Sequence, residues 1–314
     1  MIVKIIPPKA NRTLGAVTYN TSKIEKNKGE LMKVANFGTL QAFQTLRPQD
    51  YINYLQMVNN QNRHIKKPQF HVVISAKQKL YDKGTLTEIG EQWMKEMGYA
   101  AQPYLIVFHK DTDHNHVHIV STRIDKDGKK IDAAHEYRRA QKGMNKVLGY
   151  DFAFQYRFST RAQFLMLLEN QGYPGRDPDE KKINERIESY VTDKVRAEII
   201  KQIFKGHLGQ RDFEKILHER YRIDLVFHSS EGKTPYGYSI IDHEGKQVFK
   251  GSEVMPLKTL LLVPERNASG DHIQAPVTES QVYIPPVWIA DDVDDQQILG
   301  MKRRRQKKSR TNTR

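Results

Sequence analysis

Tyr104-Leu105-Ile106-Val107-Phe108-His109, then Lys110-Asp111-Thr112-Asp113-His114-Asn115, then His116-Val117-His118-Ile119-Val120 is the stretch whose reading decides the fold. Two apolar runs of strand length flank a short polar connection, which predicts two strands paired antiparallel. Residues i and i+2 of a strand share a face, so His116 and His118 point the same way. The antiparallel return also brings His109, which closes the first strand, beside that pair. Three imidazoles then face one point, and neutral nitrogen donors of this kind suit Zn²⁺, Mn²⁺ or a similar first-row ion. A fourth ligand from His114 or Asp113 would make such a site structural, whereas three ligands leave positions open for substrate. On the residues alone, a catalytic metal, a structural metal and no metal are all allowed. Asp111 and Asp113 are placed either to accept hydrogen bonds from the ligand imidazoles and orient them, or to cap strand ends in a polar turn. The HxHxDH pattern of binuclear hydrolases is absent, because Ile119-Val120-Ser121 follows His118.

Outward from this pair, short apolar strands alternate with amphipathic helices over residues 1–150. Ile2–Ile6 reads as a strand stopped by Pro7-Pro8, and Phe70–Ile74 as another. A helix over 48–64 starts at Pro48 and puts Tyr51, Leu55 and Val58 on one stripe. Thr85-Leu86-Thr87-Glu88 has capping-box spacing, and Leu86, Ile89, Trp93 and Met97 continue a helix from it. The second histidine strand runs to 124. Asp125-Lys126-Asp127-Gly128 then turns the chain into a short return strand, and a basic helix covers 134–148. A sheet with helices on one side is an α+β pattern. Residues 151–263 read as a helical plus β-hairpin extension. Its helices are expected at 160–171, 179–205 and 210–221, and its strands at 223–228, 236–241 and 246–250. From 264 to 314 an acidic patch at Asp291–Asp295 and a basic run from Lys302 predict a disordered basic tail.

Composition bounds the function. Lys plus Arg number 51 against 37 Asp plus Glu, a net charge of +14. Such an excess favours polyanionic partners, nucleic acid above all. Arg138, Arg139, Lys142 and Lys146 on the basic helix are set to meet DNA phosphates, or else form a solvated face. With no cysteine, disulfides and thiolate metal sites are excluded, which leaves His, Asp and Glu as ligands. No run approaches the ~18 apolar residues of a membrane span. The start does not read as a signal peptide either. The expectation is a soluble, cytoplasmic protein without membrane insertion.

The histidine run, near residue 110 of a basic protein, resembles the HUH motif of relaxases. These are mobilisation proteins that nick plasmid or transposon DNA at the origin of transfer. It is similar in particular to the MobP-like group on mobile elements of Bacteroides-type bacteria. Gln102-Pro103-Tyr104-Leu105-Ile106-Val107 before His109 and Ile119-Val120-Ser121-Thr122-Arg123-Ile124 after the motif match that group. Asn115 departs from it, since Pro is frequent there. A weaker likeness covers 213–254, including Gly237-Tyr238-Ser239-Ile240 and Phe249-Lys250-Gly251-Ser252-Glu253.

The resemblance implies a two-layer sandwich around an antiparallel sheet, with His109, His116 and His118 holding a divalent metal (Mn²⁺, Mg²⁺ or Zn²⁺). It implies a tyrosine that attacks single-stranded or hairpin origin DNA and keeps a 5′-phosphotyrosyl link. It also implies a relaxosome accessory protein, a coupling protein and a type IV secretion system as partners. The family's tyrosine motif lies near the N-terminus, where Gly15-Ala16-Val17-Thr18-Tyr19-Asn20 stands here, so Tyr19 is the expected nucleophile. Tyr51 and Tyr54 are the alternatives. His71 either faces the site or is a satisfied core histidine, while His64 and His135 are expected at the surface. Rival readings are a rolling-circle initiator or transposase of the same superfamily, and a non-catalytic DNA-binding protein with a structural metal.

Overall fold

The structure, a computed structural model, describes residues 1–7, 13–43, 45–230 and 233–261. The basic tail and its acidic neighbour lie outside them. Five strands form the central sheet: β1 (Ile2–Ile5), β2 (Gly29–Ala35), β3 (Gln69–Ser75), β4 (Tyr104–His109) and β5 (His116–Thr122). Their order is β1-β3-β5-β4-β2, and every neighbouring pair is antiparallel. The α+β class with a central antiparallel sheet is therefore the one that the sequence implies. β2 is not among the expected strands. It is an edge strand whose Glu30 and Lys33 interrupt the apolar signal, and a register shift between Leu31 and Lys33 disturbs its alternation. The expected return strand after Gly128 is only an isolated bridge, Ile124 to Lys130.

Alternation along the strands sorts the core into two layers. Phe70, Val72, Ile74, Ile106, Phe108, Val117 and Ile119 pack with Trp93 of α3 (Lys83–Glu96) and Met144 of α4 (Glu136–Val147). Close approach of α3 rests on Gly90, where a Cβ would lie 3.3 Å from Ile119 Cδ1. Trp93 is fully buried, and its Nε1–H donates to Ala140 O at 2.9 Å, which ties α3 to α4. Truncating it to Ala would cost about 3–5 kcal/mol. The other face carries Leu105 and Val120 against Val17 of α1 (Gly15–Glu25) and Leu55 of α2 (Pro48–Asn60). Helices thus lie on both faces rather than on one. The expected cap of α3 also moves: Asp82 is the N-cap and accepts from Thr85 N at 2.8 Å, so Thr85 sits inside the first turn.

The chain continues through α5 (Tyr150–Ala153), α6 (Arg161–Asn170), α7 (Glu180–Glu188), α8 (Lys194–His207) and α9 (Phe213–Tyr221). The helix expected over 179–205 is two helices, broken at 189–193, where Asp193 caps the second by accepting from Arg196 N. A second sheet follows, β6 (Ile223–His228), β7 (Gly237–Asp242) and β8 (Gln247–Lys250), and then α10 (Gly251–Val254) and α11 (Leu257–Leu261). It has its own apolar cluster around Ile200, Phe204, Ile240 and Phe249. Ile241 and Val248 instead join the cluster that holds Trp93, as do Tyr150, Tyr156 and Phe164.

Candidate metal and nucleophile site

The β4–β5 register sets the site. His109 pairs directly with His116, and His118 lies opposite Val107 on the same face as Leu105 and Val120. One ligand atom from each of His109, His116 and His118 falls within 4.8 Å of the other two, with His109 and His118 buried and His116 half-buried. Burial pushes the His109 imidazole down to about 4, helped by neighbouring His116. It pushes His118 to about 2, with His109, His71 and His116 adding to the effect. Both rings are therefore neutral near pH 7, the form that ligates a metal. The donor set, three neutral nitrogens on a rigid strand pair, fits a first-row divalent ion.

Each ring is oriented by an outer partner. His109 Nε2 meets Asn20 Oδ1 at 2.8 Å, while Asn20 Nδ2 donates to Ala16 O. A backbone carbonyl can only accept, so the amide orientation is settled and the His109 proton sits on Nε2. His116 Nδ1 donates to the carbonyl of His114 at 2.9 Å, leaving the Nε2 lone pair free. His118 Nδ1 faces His71 Nε2 at 2.9 Å.

Asn20 and the His114 carbonyl do what the sequence assigned to Asp111 and Asp113, and that assignment is corrected. Asp111 instead pairs with Lys23, and Asp113 lines a cleft of about 540 Å³ with Lys79, Phe108, Lys110, Asp111, Thr112 and Asn115. His114 is not in the ligand group either, since its Nδ1 accepts from Gln78 N at 2.7 Å. Asn115 donates to Tyr81 O at 2.8 Å, which anchors the loop where Pro would have no such bond.

α1 lies across this face. Its buried residues Ala16, Val17 and Asn20 turn inward, and the Tyr19 ring lies 5.8 Å from both His109 and His118. Tyr19 is 46% exposed, so a large substrate can reach it. Tyr51 is buried and packs edge-on against Phe37, which also touches Tyr54; neither ring meets the histidines.

Arg138, Arg139, Lys142 and Lys146 are not brought to the site. α4 packs on the opposite face, and there Arg139 pairs with Asp132 and Lys146 with Glu96. The basic groups at the histidine end are others: Lys23, Lys26, Lys28, Lys79 and Lys110. The Lys110 amide bonds Lys28 O, and Lys79 and Lys110 line the same cleft. The signal that could have found them is the lysine density of 23–28 and of 77–79, the latter just past the expected strand Phe70–Ile74.

The family model described as relaxase, MobA/VirD2-like, nuclease domain matches residues 19–148, which hold all three histidines and Tyr19. This part of the chain is thus similar to the nuclease domain of relaxases. A solved structure described as the molecular basis of vancomycin resistance transfer in Staphylococcus aureus is 14% identical. It covers 57% of this chain and 98% of its own, with a TM-score of 0.33. Comparison with curated proteins returned no match.

Proposed function

We propose, from the premise of a relaxase-type nuclease domain over residues 19–148, that the chain nicks and rejoins one DNA strand at an origin of transfer. The observation that carries this reading is the Tyr19 ring at 5.8 Å from two members of a three-histidine cluster. The Tyr19 hydroxyl oxygen bonds to phosphorus and the bond to the 3′ oxygen breaks. The phenolic proton is released and the departing 3′ oxygen takes one up. The products are a 3′-hydroxyl and a 5′-phosphotyrosyl link, and rejoining is the same step reversed without ATP.

His109, His116 and His118 would hold a divalent ion, which would supply Lewis-acid polarisation of the phosphate. All-nitrogen donors favour Mn²⁺ or Zn²⁺ over Mg²⁺, which prefers oxygen ligands. The lysines at 26, 28, 79 and 110 contact the DNA backbone. Residues 1–150 form the nuclease unit, 151–263 its extension, and 264–314 a basic tail. A relaxosome accessory protein, a coupling protein and a type IV secretion system are the partners of such an enzyme in the cytoplasm. No helix among the described residues is long and apolar enough to cross a membrane.

The test is incubation of the full chain with Mn²⁺ and single-stranded DNA, both a random-sequence pool and hairpins, followed by denaturing electrophoresis. A covalent adduct whose linked peptide contains Tyr19 supports the reading. Binding without an adduct returns the protein to the DNA-binding class. Cleaved product with a free 5′-phosphate replaces strand transfer by hydrolysis.

A further inference from the structure

Lys23 belongs neither to the histidine cluster nor to the partners that orient it. It stands four residues after Tyr19 on α1, so both side chains share one helix face. Its Nζ lies 5.5 Å from the centre of the Tyr19 ring and pairs with Asp111, two residues beyond His109. Lys23 and Asp111 are only 22% and 21% exposed. α1 comes this close to β2 because residue 29 is glycine, where a Cβ would lie 3.3 Å from Lys23 Cβ. The carboxylate of Asp111 raises the Lys23 ammonium above its usual range, so it stays charged at every working pH.

A surface ion pair by itself adds little to stability. Its position suits chemistry instead. An ammonium has three donors; Asp111 occupies one, and two remain for the tyrosyl oxygen and for a phosphate drawn to the histidines. A charge that is already placed loses nothing to reorganisation when the anion develops.

We propose that Lys23 is a further site residue, held over Tyr19 by Asp111, which neutralises the negative charge collecting on the tyrosyl oxygen and the phosphate during strand transfer. This rests on the nicking reading above. It also gives Asp111 a purpose other than orienting an imidazole: it positions the cation.

The test uses the full chain, Mn²⁺ and a labelled random-sequence single-stranded DNA pool. Adduct formation is followed in a single turnover at saturating DNA, and Mn²⁺ and DNA affinities are measured separately. Lys23→Met is expected to slow adduct formation about tenfold to a hundredfold, less than a buried oxyanion donor because Lys23 is partly exposed. Its Mn²⁺ and DNA affinities stay close to those of the unmodified chain, and Lys23→Arg recovers most of the rate. An adduct formed by Lys23→Met at the unmodified rate overturns the proposal while leaving the nicking reading intact. A rate loss matched by lost DNA affinity, or by lost Mn²⁺, also overturns it, by making Lys23 a binding or a structural residue. If the unmodified chain forms no adduct, the nicking reading itself fails and takes this proposal with it.

Discussion

His118 Nδ1 lies 2.9 Å from His71 Nε2, a buried imidazole-to-imidazole hydrogen bond between β5 and β3. The two rings are diagonal neighbours on one sheet face, since His118 pairs with Val73 and His71 with Val120. In a neutral pair one ring donates and the other accepts. His118 keeps a lone pair on Nε2 for an ion only when its proton sits on Nδ1, so His71 must be the acceptor. Burial, which lowers His71 to about 4, keeps it neutral for that task.

Replacing His71 by Phe therefore leaves the His118 Nδ1–H unpaired and its ring free to turn. Mn²⁺ affinity should fall by about tenfold to a hundredfold, the usual effect of losing an outer partner of a metal-bound histidine. His71→Gln, which retains an acceptor, should lose less. Titration followed by electron paramagnetic resonance measures both, and equal affinity in His71→Phe would remove His71 from the site.

Tyr19→Phe separates binding from chemistry. It deletes one oxygen from a ring that still packs beside His109 and His118. Mn²⁺ and DNA binding should persist while the covalent adduct disappears. His116→Ala and His118→Ala should show the converse, an intact circular dichroism spectrum with loss of metal binding and of nicking. An adduct carried by Tyr51 or Tyr54 in Tyr19→Phe would move the nucleophile and keep the enzyme class.

Three imidazoles neutralised by burial make metal-free stability depend on pH. His71 and His109 titrate near 4 and His118 near 2 in the folded chain, against 6.5 when exposed. Between those values the unfolded chain binds more protons, so stability is full above about pH 6.5 and falls as the medium is acidified. From pH 7 to pH 5 the loss should be on the order of 2–5 kcal/mol, since a tenfold difference in proton affinity between the two states is worth about 1.4 kcal/mol. Denaturant midpoints measured with chelator across this range check it, and His71→Phe should flatten the slope.

Arg123 Nη1 and Glu136 Oε1 lie 2.5 Å apart with side chains 8% and 6% exposed, and Tyr99 donates to the same carboxylate oxygen at 3.0 Å. This pair holds the start of α4 to the end of β5, on the face away from the histidines. Glu136→Ala strands a buried guanidinium and should cost about 3–5 kcal/mol. The melting temperature should drop, with Mn²⁺ affinity at low temperature unchanged.

The β4–β5 pair, the convergence of His109, His116 and His118, and the α+β class were legible in the sequence. These follow from local signals: period-2 alternation needs no partner to be read, and an i, i+2 spacing fixes a shared face before any packing is known. The family likeness then singled out Tyr19 among fifteen tyrosines, a choice that periodicity could not make. The roles of His71 and Asn20 were not legible, because a histidine alternating with apolar residues on β3 looks the same whether or not another imidazole sits diagonally across the sheet. Asp111 misled for a related reason: nearness in sequence to His109 says nothing about Lys23, which is 88 positions away and arrives only when α1 lies over the strands. The basic helix α4 misled in the opposite sense. Its charge was plain, but the face of the sheet it covers depends on where Trp93 and Met144 bury their side chains, and that was decided by tertiary packing alone.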